Sequence, residues 1–287
     1  MKRLAIVLNP GSGKSETSKT EIAKLFKSKE FELKFFAITK GVSVLQKAIK
    51  AYKPKAVIAV GGDGTVNAVA AIVTQLDLPM GVIPAGTLNH FSKDLGLPAE
   101  PAEAAAVIVK LNATNIDYGS VNDRVFVNNC NLGGYPEAVL KRDELSSGVL
   151  NKWLAAIIAA IHVRLQHRRQ KFVLNTDGVT INVRAGSLFI GNNRYQLEGT
   201  EFTKRKRLDQ GMLQLVVVKT GRVRHMLGIL VSFLMKRPHE KVAIYEAQQI
   251  VVHARGRQHN VAIDGEVIQL ATPLVIKIHP KELQVLV

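Results

Sequence analysis

The chain has 287 residues, 47% of them apolar, enough for one large domain or two ordinary ones around a buried core. Its one cysteine, Cys130, excludes an internal disulfide and makes a reducing cytosol the simplest home. The formal net charge of +16 favours an anionic partner, and no apolar run reaches the roughly 20 residues that a spanning helix needs.

The opening run, "LAIVL", is too short for a signal-peptide core and reads as a first strand. Further apolar runs follow, "KFFAIT", "AVIAVGG" and "MGVIPAG", separated by the helix-like "SETSKTEIAKLFKS", "SVLQKAIKAY" and "TVNAVAAIVTQL". Continuous apolar strands alternating with helices predict a parallel sheet covered on both faces. From Ile116 the rhythm changes to short strands at close intervals, and "TINVR" alternates as a half-exposed strand does. The expected fold is an α/β domain with a parallel sheet over 1–118 and a β-rich antiparallel sandwich over 119–287. The last strand is allowed to return to the first domain. Two apolar segments, 153–161 and 226–235, interrupt the second half and read as helices.

Glycine turns close the predicted strands. The first, "NPGSGKS", ends like a Walker A loop, but that motif would need a glycine where Leu8 stands. What remains is a strand running into Asn9, Ser12 and Gly13, with Lys14 within reach of a phosphate and a helix N-terminus behind it. The second, "GGDGTVN", puts Gly61, Gly62 and Gly64 around Asp63. Glycines let backbone approach a ligand, and a carboxylate beside phosphate needs either a bridging cation or a substrate proton to accept. Thr65 is also placed to cap the following helix. The third, "PAGTLN", repeats the pattern with Gly86, Thr87 and Asn89. In a parallel sheet these turns share the carboxyl edge where ligands bind, so they predict a nucleotide-phosphate cleft.

These motifs, with a late "IDGE" (263–266), resemble the diacylglycerol kinase catalytic domain, a family that includes soluble bacterial lipid kinases and is related to sphingosine and ceramide kinases. The resemblance runs over essentially the whole chain. It implies an NAD kinase/diacylglycerol kinase-like fold with the active site between the two domains, and transfer of phosphate from ATP with Mg²⁺ to a lipid hydroxyl. By position it implies nucleotide contacts from Gly61, Gly62, Asp63, Gly64, Thr65, Val66, Asn67, Gly86 and Thr87, and from Thr39 after the second strand. Glu266 matches the family's proton acceptor, with Asp264 beside it and Asp63 as the other candidate. Asp117 matches a further acidic position. Two departures stand out. His90 follows Asn89 where many members have Asp. "LDQGML" keeps Asp209, a candidate metal ligand, but has Gln210 at the second acidic position of a metal loop, and an amide binds hard cations less well than a carboxylate.

A lipid kinase meets its substrate at a bilayer. The 153–171 segment, which runs from Trp153 to the cations Arg164, Arg168, Arg169 and Lys171, suits an interfacial helix on anionic phospholipid, and equally a core helix with a solvated end. The 204–207 run, "KRKR", reads as a solvated loop or a steering patch. Few aromatics accompany the basic runs, which disfavours nucleic acid. The expectation is a cytoplasmic lipid kinase with peripheral membrane contact. The alternatives are a kinase of a soluble metabolite such as NAD, or a non-catalytic lipid- or nucleotide-binding protein on the same scaffold.

Overall fold

A computed structural model describes residues 1–9, 19–26, 30–38, 41–146, 169–196, 204–219, 232, 235 and 239–287. The apolar segment 153–161 lies outside these residues, as do Ser12, Gly13, Lys14, Thr39 and all of the segment 226–235 except Ser232 and Met235. The chain forms two compact units, one of residues 1–118 and 279–287, the other of residues 119–278.

The first unit opens with β1 (Lys2–Leu8), α1 (Lys19–Leu25), β2 (Phe31–Ala37), α2 (Val42–Tyr52), β3 (Ala56–Gly61), α3 (Asp63–Leu76), β4 (Met80–Pro84), α4 (His90–Asp94) and α5 (Pro101–Ile108). β5 (Ala113–Val121) begins in it and continues into the second unit. The strands pair in the parallel order β2-β1-β3-β4. Every residue of β3 and β4 is buried, as expected for a sheet covered on both faces. α3 buries Val66, Val69, Ala70, Ile72 and Val73, the one-sided spacing of a helix lying on a sheet. It ends at Asp77, whose left-handed backbone (φ 51°) turns its N–H back to the Val73 carbonyl. Leu4, Ile6, Ile58, Ile83 and Ile108 belong to the core of this unit.

The second unit holds β6 (Arg124–Phe126), β7 (Asn129–Gly133), α6 (Gly134–Ser146), β8 (Gln170–Thr176), β9 (Val179–Ala185), β10 (Ser187–Asn192), β11 (Leu213–Val218), β12 (Val242–Ala247), β13 (Gln249–Ala254), β14 (Gln258–Ile263) and β15 (Glu266–Ala271). β16 (Leu274–Leu286) begins here and ends in the first unit, where Val285 pairs in parallel with Met80 of β4. One antiparallel layer runs β16-β13-β8-β9, the other β12-β11-β10-β7-β14-β15. Their inner faces share one core that includes Phe172, Leu174, Val252 and Ile276 from the first layer and Cys130, Ile190, Leu215 and Val261 from the second. This is a β-sandwich in which inward apolar residues alternate with outward polar ones. Cys130 is fully buried, and burial, then the nearby Asp264 charge, push its thiol well above the usual range, so it packs as a small apolar residue.

Candidate functional site

The order β2-β1-β3-β4 makes the crevice between the carboxyl ends of β1 and β3 a topological switch point, where open α/β sheets bind ligands. Leu8 pairs with Val60, so Asn9 leaves β1 next to the point where Gly61 closes β3. Gly62 has extended backbone and precedes α3 with no side-chain cap, which leaves the first-turn N–H groups of that helix for another acceptor. Thr65 is the third residue of α3 and does not cap it. Its side chain is buried against Gly61, where a Cβ would meet Oγ1 at 2.4 Å, and Oγ1 has no hydrogen-bond partner.

The turn after β4 meets this one backbone to backbone. The Ala85 N–H donates to the Gly61 carbonyl at 3.0 Å, and a Cβ on Gly86 would fall 2.4 Å from the Gly62 Cα. Only glycine fits such an approach. Asn89, in left-handed backbone (φ 50°), locks the turn. Its Oδ1 accepts the Gly86 N–H at 3.0 Å, and its Nδ2 donates to the Gly86 carbonyl at 2.9 Å. The Asp63 carboxylate accepts the N–H groups of His90 and Phe91 at 3.4 and 3.3 Å. Charge-assisted bonds are usually about 2.7–2.9 Å, so this carboxylate is held loosely over the start of α4. The structure thus brings residues 61–67 together with Gly86, Asn89 and the His90 backbone. Asp117 is fully buried, and its Oδ1 accepts the Lys281 N–H at 2.8 Å, which fastens the last strand.

In the second unit, Ile263 pairs with Glu266 across a two-residue turn of Asp264 (φ 45°) and Gly265 (φ 91°). Two consecutive positive φ values make the hairpin turn that Asp-Gly favours. The Asp264 carboxylate accepts three backbone N–H groups, from Val127 at 2.8 Å and from Asn128 and Asn129 at 2.9 Å each. Asp264 therefore ties the hairpin to the segment before β7, while Glu266, two residues on, is exposed. From Asn129 a polar chain continues: its Oδ1 accepts Asn131 Nδ2 at 2.7 Å, and its Nδ2 donates to the Tyr195 hydroxyl at 3.5 Å. Sequence reasoning missed this chain, although "VNNCN" already places Asn129 and Asn131 two apart on one face of a strand.

The loop before β11 has a different balance from a carboxylate cage. Asp209 accepts two bonds of 3.0 Å from Arg207. The Gln210 Oε1 accepts the Arg194 N–H at 3.2 Å, and the Arg194 guanidinium pairs with Glu246 at 2.5 and 2.6 Å. Among the described residues, no group of three or more His, Cys, Asp or Glu is placed to hold a metal. Within the basic run, Arg205 turns inward and is 1% exposed, donating to the carbonyls of Val127 and Asn192 at 2.6 and 3.2 Å and to Asn128 Oδ1 at 2.8 Å.

Known proteins bear on both units. Residues 3–121 match the diacylglycerol kinase catalytic domain, and residues 140–287 match the YegS C-terminal NAD kinase beta sandwich-like domain. A diacylglycerol kinase of Staphylococcus aureus (strain MRSA252) is 26% identical over 273 residues, which span 92% of this chain and 86% of that protein. The same enzyme from strain JH9 is 26% identical over 274 residues, again 92% and 86%. A diacylglycerol kinase structure from Bacillus anthracis str. Sterne superposes with a TM-score of 0.75 over 99% of this chain and 96% of its own, at 23% identity, which is a likeness of fold.

Proposed function

The chain belongs to the diacylglycerol kinase catalytic domain family, and from that premise we propose that it phosphorylates a hydroxyl of diacylglycerol or a related lipid at a membrane surface, with Mg²⁺ accompanying the nucleotide. Membership makes it a phosphotransferase that moves phosphate from ATP to an alcohol. The lipid, the metal and the residue roles are the proposal.

The observation that carries it is the backbone contact of Gly62 with Gly86 between the turns after β3 and β4, next to the switch point and beside an uncapped helix N-terminus. Glycines pressed together there leave amide groups as the lining, and amides with a helix N-terminus suit phosphate. The unpartnered Thr65 Oγ1 fits the same ligand. ATP, when bound, supplies the phosphoryl group. The amides of residues 62–65 and of Thr87 would hold its phosphates, and Asp63, gripped only loosely by α4, would take the cation side of the site. Asp209 remains the candidate for a separate metal, in competition with Arg207. An alcohol is a weak nucleophile, so a carboxylate must take its proton as the new bond forms. Glu266 is exposed and suits that role, while Asp264, bound to three amides, positions the hairpin that carries it.

Radiolabelled ATP offered with detergent-dispersed lipids or with NAD tests the reading. The expected result is labelled lipid, with Asp63→Asn and Glu266→Gln each lowering turnover at least about 100-fold and leaving circular dichroism unchanged. Full turnover by either variant removes that residue's role. Labelled NAD without labelled lipid replaces the substrate.

A further inference from the structure

The outer face of the β16-β13-β8-β9 layer is one-signed. Register fixes which residues share it. Lys171 stands opposite Arg184, and Val173 is flanked by Asn182 and His253. Asn175 pairs with Val251, Val251 with Val275, and two residues on lies Lys277. Lys171, Arg184, His253 and Lys277 are all exposed, while the alternate residues Phe172, Leu174, Val252 and Ile276 form the core. Asp177, in the β8–β9 turn, has its carboxylate committed to the N–H groups of Gln248 and Gln249 at 2.8–3.2 Å. No other Asp or Glu occurs in β8, β9, β13 or residues 274–278.

Two features make this more than a solvated charged surface. Like charges directly across a strand pair repel, so the Lys171–Arg184 pair weakens the sheet unless an anion lies over it. Lysines often guard exposed sheet edges, and Arg184 on β9 could be read so, but Lys277 stands three strands in from that edge. An apolar group is set among the cations: Val173, between Asn182 and His253, is 38% exposed. A cationic sheet face with an exposed valine among its charges matches the anionic headgroup layer of a bilayer, where the cations meet lipid phosphates and the valine enters the acyl boundary.

We propose that this face docks the protein on anionic phospholipid. The proposal rests on the lipid-kinase reading for its purpose, though not for its observations. No helix of the described residues is long and apolar enough to cross a membrane. A surface contact of this kind gives access to a bilayer-borne substrate.

The test is co-sedimentation of the full chain with vesicles of equimolar phosphatidylglycerol and phosphatidylcholine, and with phosphatidylcholine alone. The variants are Lys171→Glu/Arg184→Glu/Lys277→Glu and its milder form Lys171→Gln/Arg184→Gln/Lys277→Gln. A control with the same change in charge, Lys47→Glu/Lys50→Glu/Lys55→Glu, alters exposed lysines of the first unit. The wild type and the control should bind the anionic vesicles, less so as salt rises, and not the neutral ones. The glutamate variant should bind at least about 100-fold more weakly, and the glutamine variant somewhat less so. Its turnover of lipid in neutral detergent micelles should equal the wild type's. Equal vesicle binding by the glutamate and glutamine variants and the wild type, loss in the control as well, or no binding by any protein overturns the docking face. Absence of micellar turnover in the wild type, with vesicle binding still lost in the variants, leaves the docking face standing and overturns the lipid-kinase reading instead.

Discussion

The glycine rim of the first unit and the 264–266 hairpin of the second use the same residue types to opposite ends. At Gly62 and Gly86 the constraint is space: neither needs a left-handed backbone, yet a side chain on either would press into the other turn. At Gly265 the constraint is conformation: φ is 91°, and a Cβ would meet nothing within 4 Å. The aspartates differ in the same way. Asp63 holds two amides at 3.3–3.4 Å, and Asp264 holds three at 2.8–2.9 Å. One carboxylate retains capacity for a ligand, and the other has spent it on the fold. Crowded glycine with a loosely bound acid is what the proposed binding rim requires, whereas open glycine with a tightly bound acid marks a support.

Gly86→Ala gives the largest expected effect that separates the two regions. The added methyl must push two turns apart at the proposed phosphate rim, and a misplacement of about 1 Å there costs roughly 100-fold in turnover. Turnover against dispersed lipid and nucleotide affinity by calorimetry should fall together, with the melting temperature nearly held. A fully active Gly86→Ala enzyme would show that the contact is packing alone.

The hairpin should respond in stability. Asp264→Ala strands three amides, and a segment with Val127 fully buried and Asn128 nearly so cannot hydrate them, so unfolding free energy should drop by about 3 kcal/mol. Gly265→Ala, which only strains the backbone, should cost about 1 kcal/mol. Urea unfolding measures both. A loss under about 1 kcal/mol for Asp264→Ala would mean that the three bonds do not anchor the turn.

The contrast also explains what the sequence could disclose. Strand and helix order in the first unit was readable because buried parallel strands are continuous apolar runs, as "AVIAV" in β3 is. The glycine rim was readable because the turns follow those runs directly. Asp264 and Glu266 were separable only in the fold, since two residues apart on one hairpin look alike until the three amides from 127–129, more than a hundred residues away in sequence, are seen on one of them. Arg205 was misread for the same reason. A run of four cations suggests solvent, yet Arg205, bridged to Tyr195, turns its side chain inward to the carbonyls of Asn192 and of Val127, the latter 78 residues away. Local pattern reports periodicity and turn chemistry. It does not report which polar group is consumed by a partner far along the chain.

The smallest expected effect concerns the loop that carries Gln210. The hydrogen bond from Arg194 holds the Glu246 carboxyl below its ordinary value of 4.5, partial burial opposes the shift, and the charge of Arg194 adds to it. A carboxylate lowered in the folded state contributes stability above its unfolded pKa and loses it as pH falls through the folded one. Glu246→Gln should therefore be slightly less stable than the wild type near neutrality, and the gap in urea midpoint should close as pH falls below about 4.5. Both side chains are well exposed, so the gap should be near the limit of detection and should shrink further in high salt. A gap that persists unchanged in acid would assign the effect to packing of the Glu246 side chain. In that case Arg194 would reach Gln210 through its backbone alone, as its N–H already does.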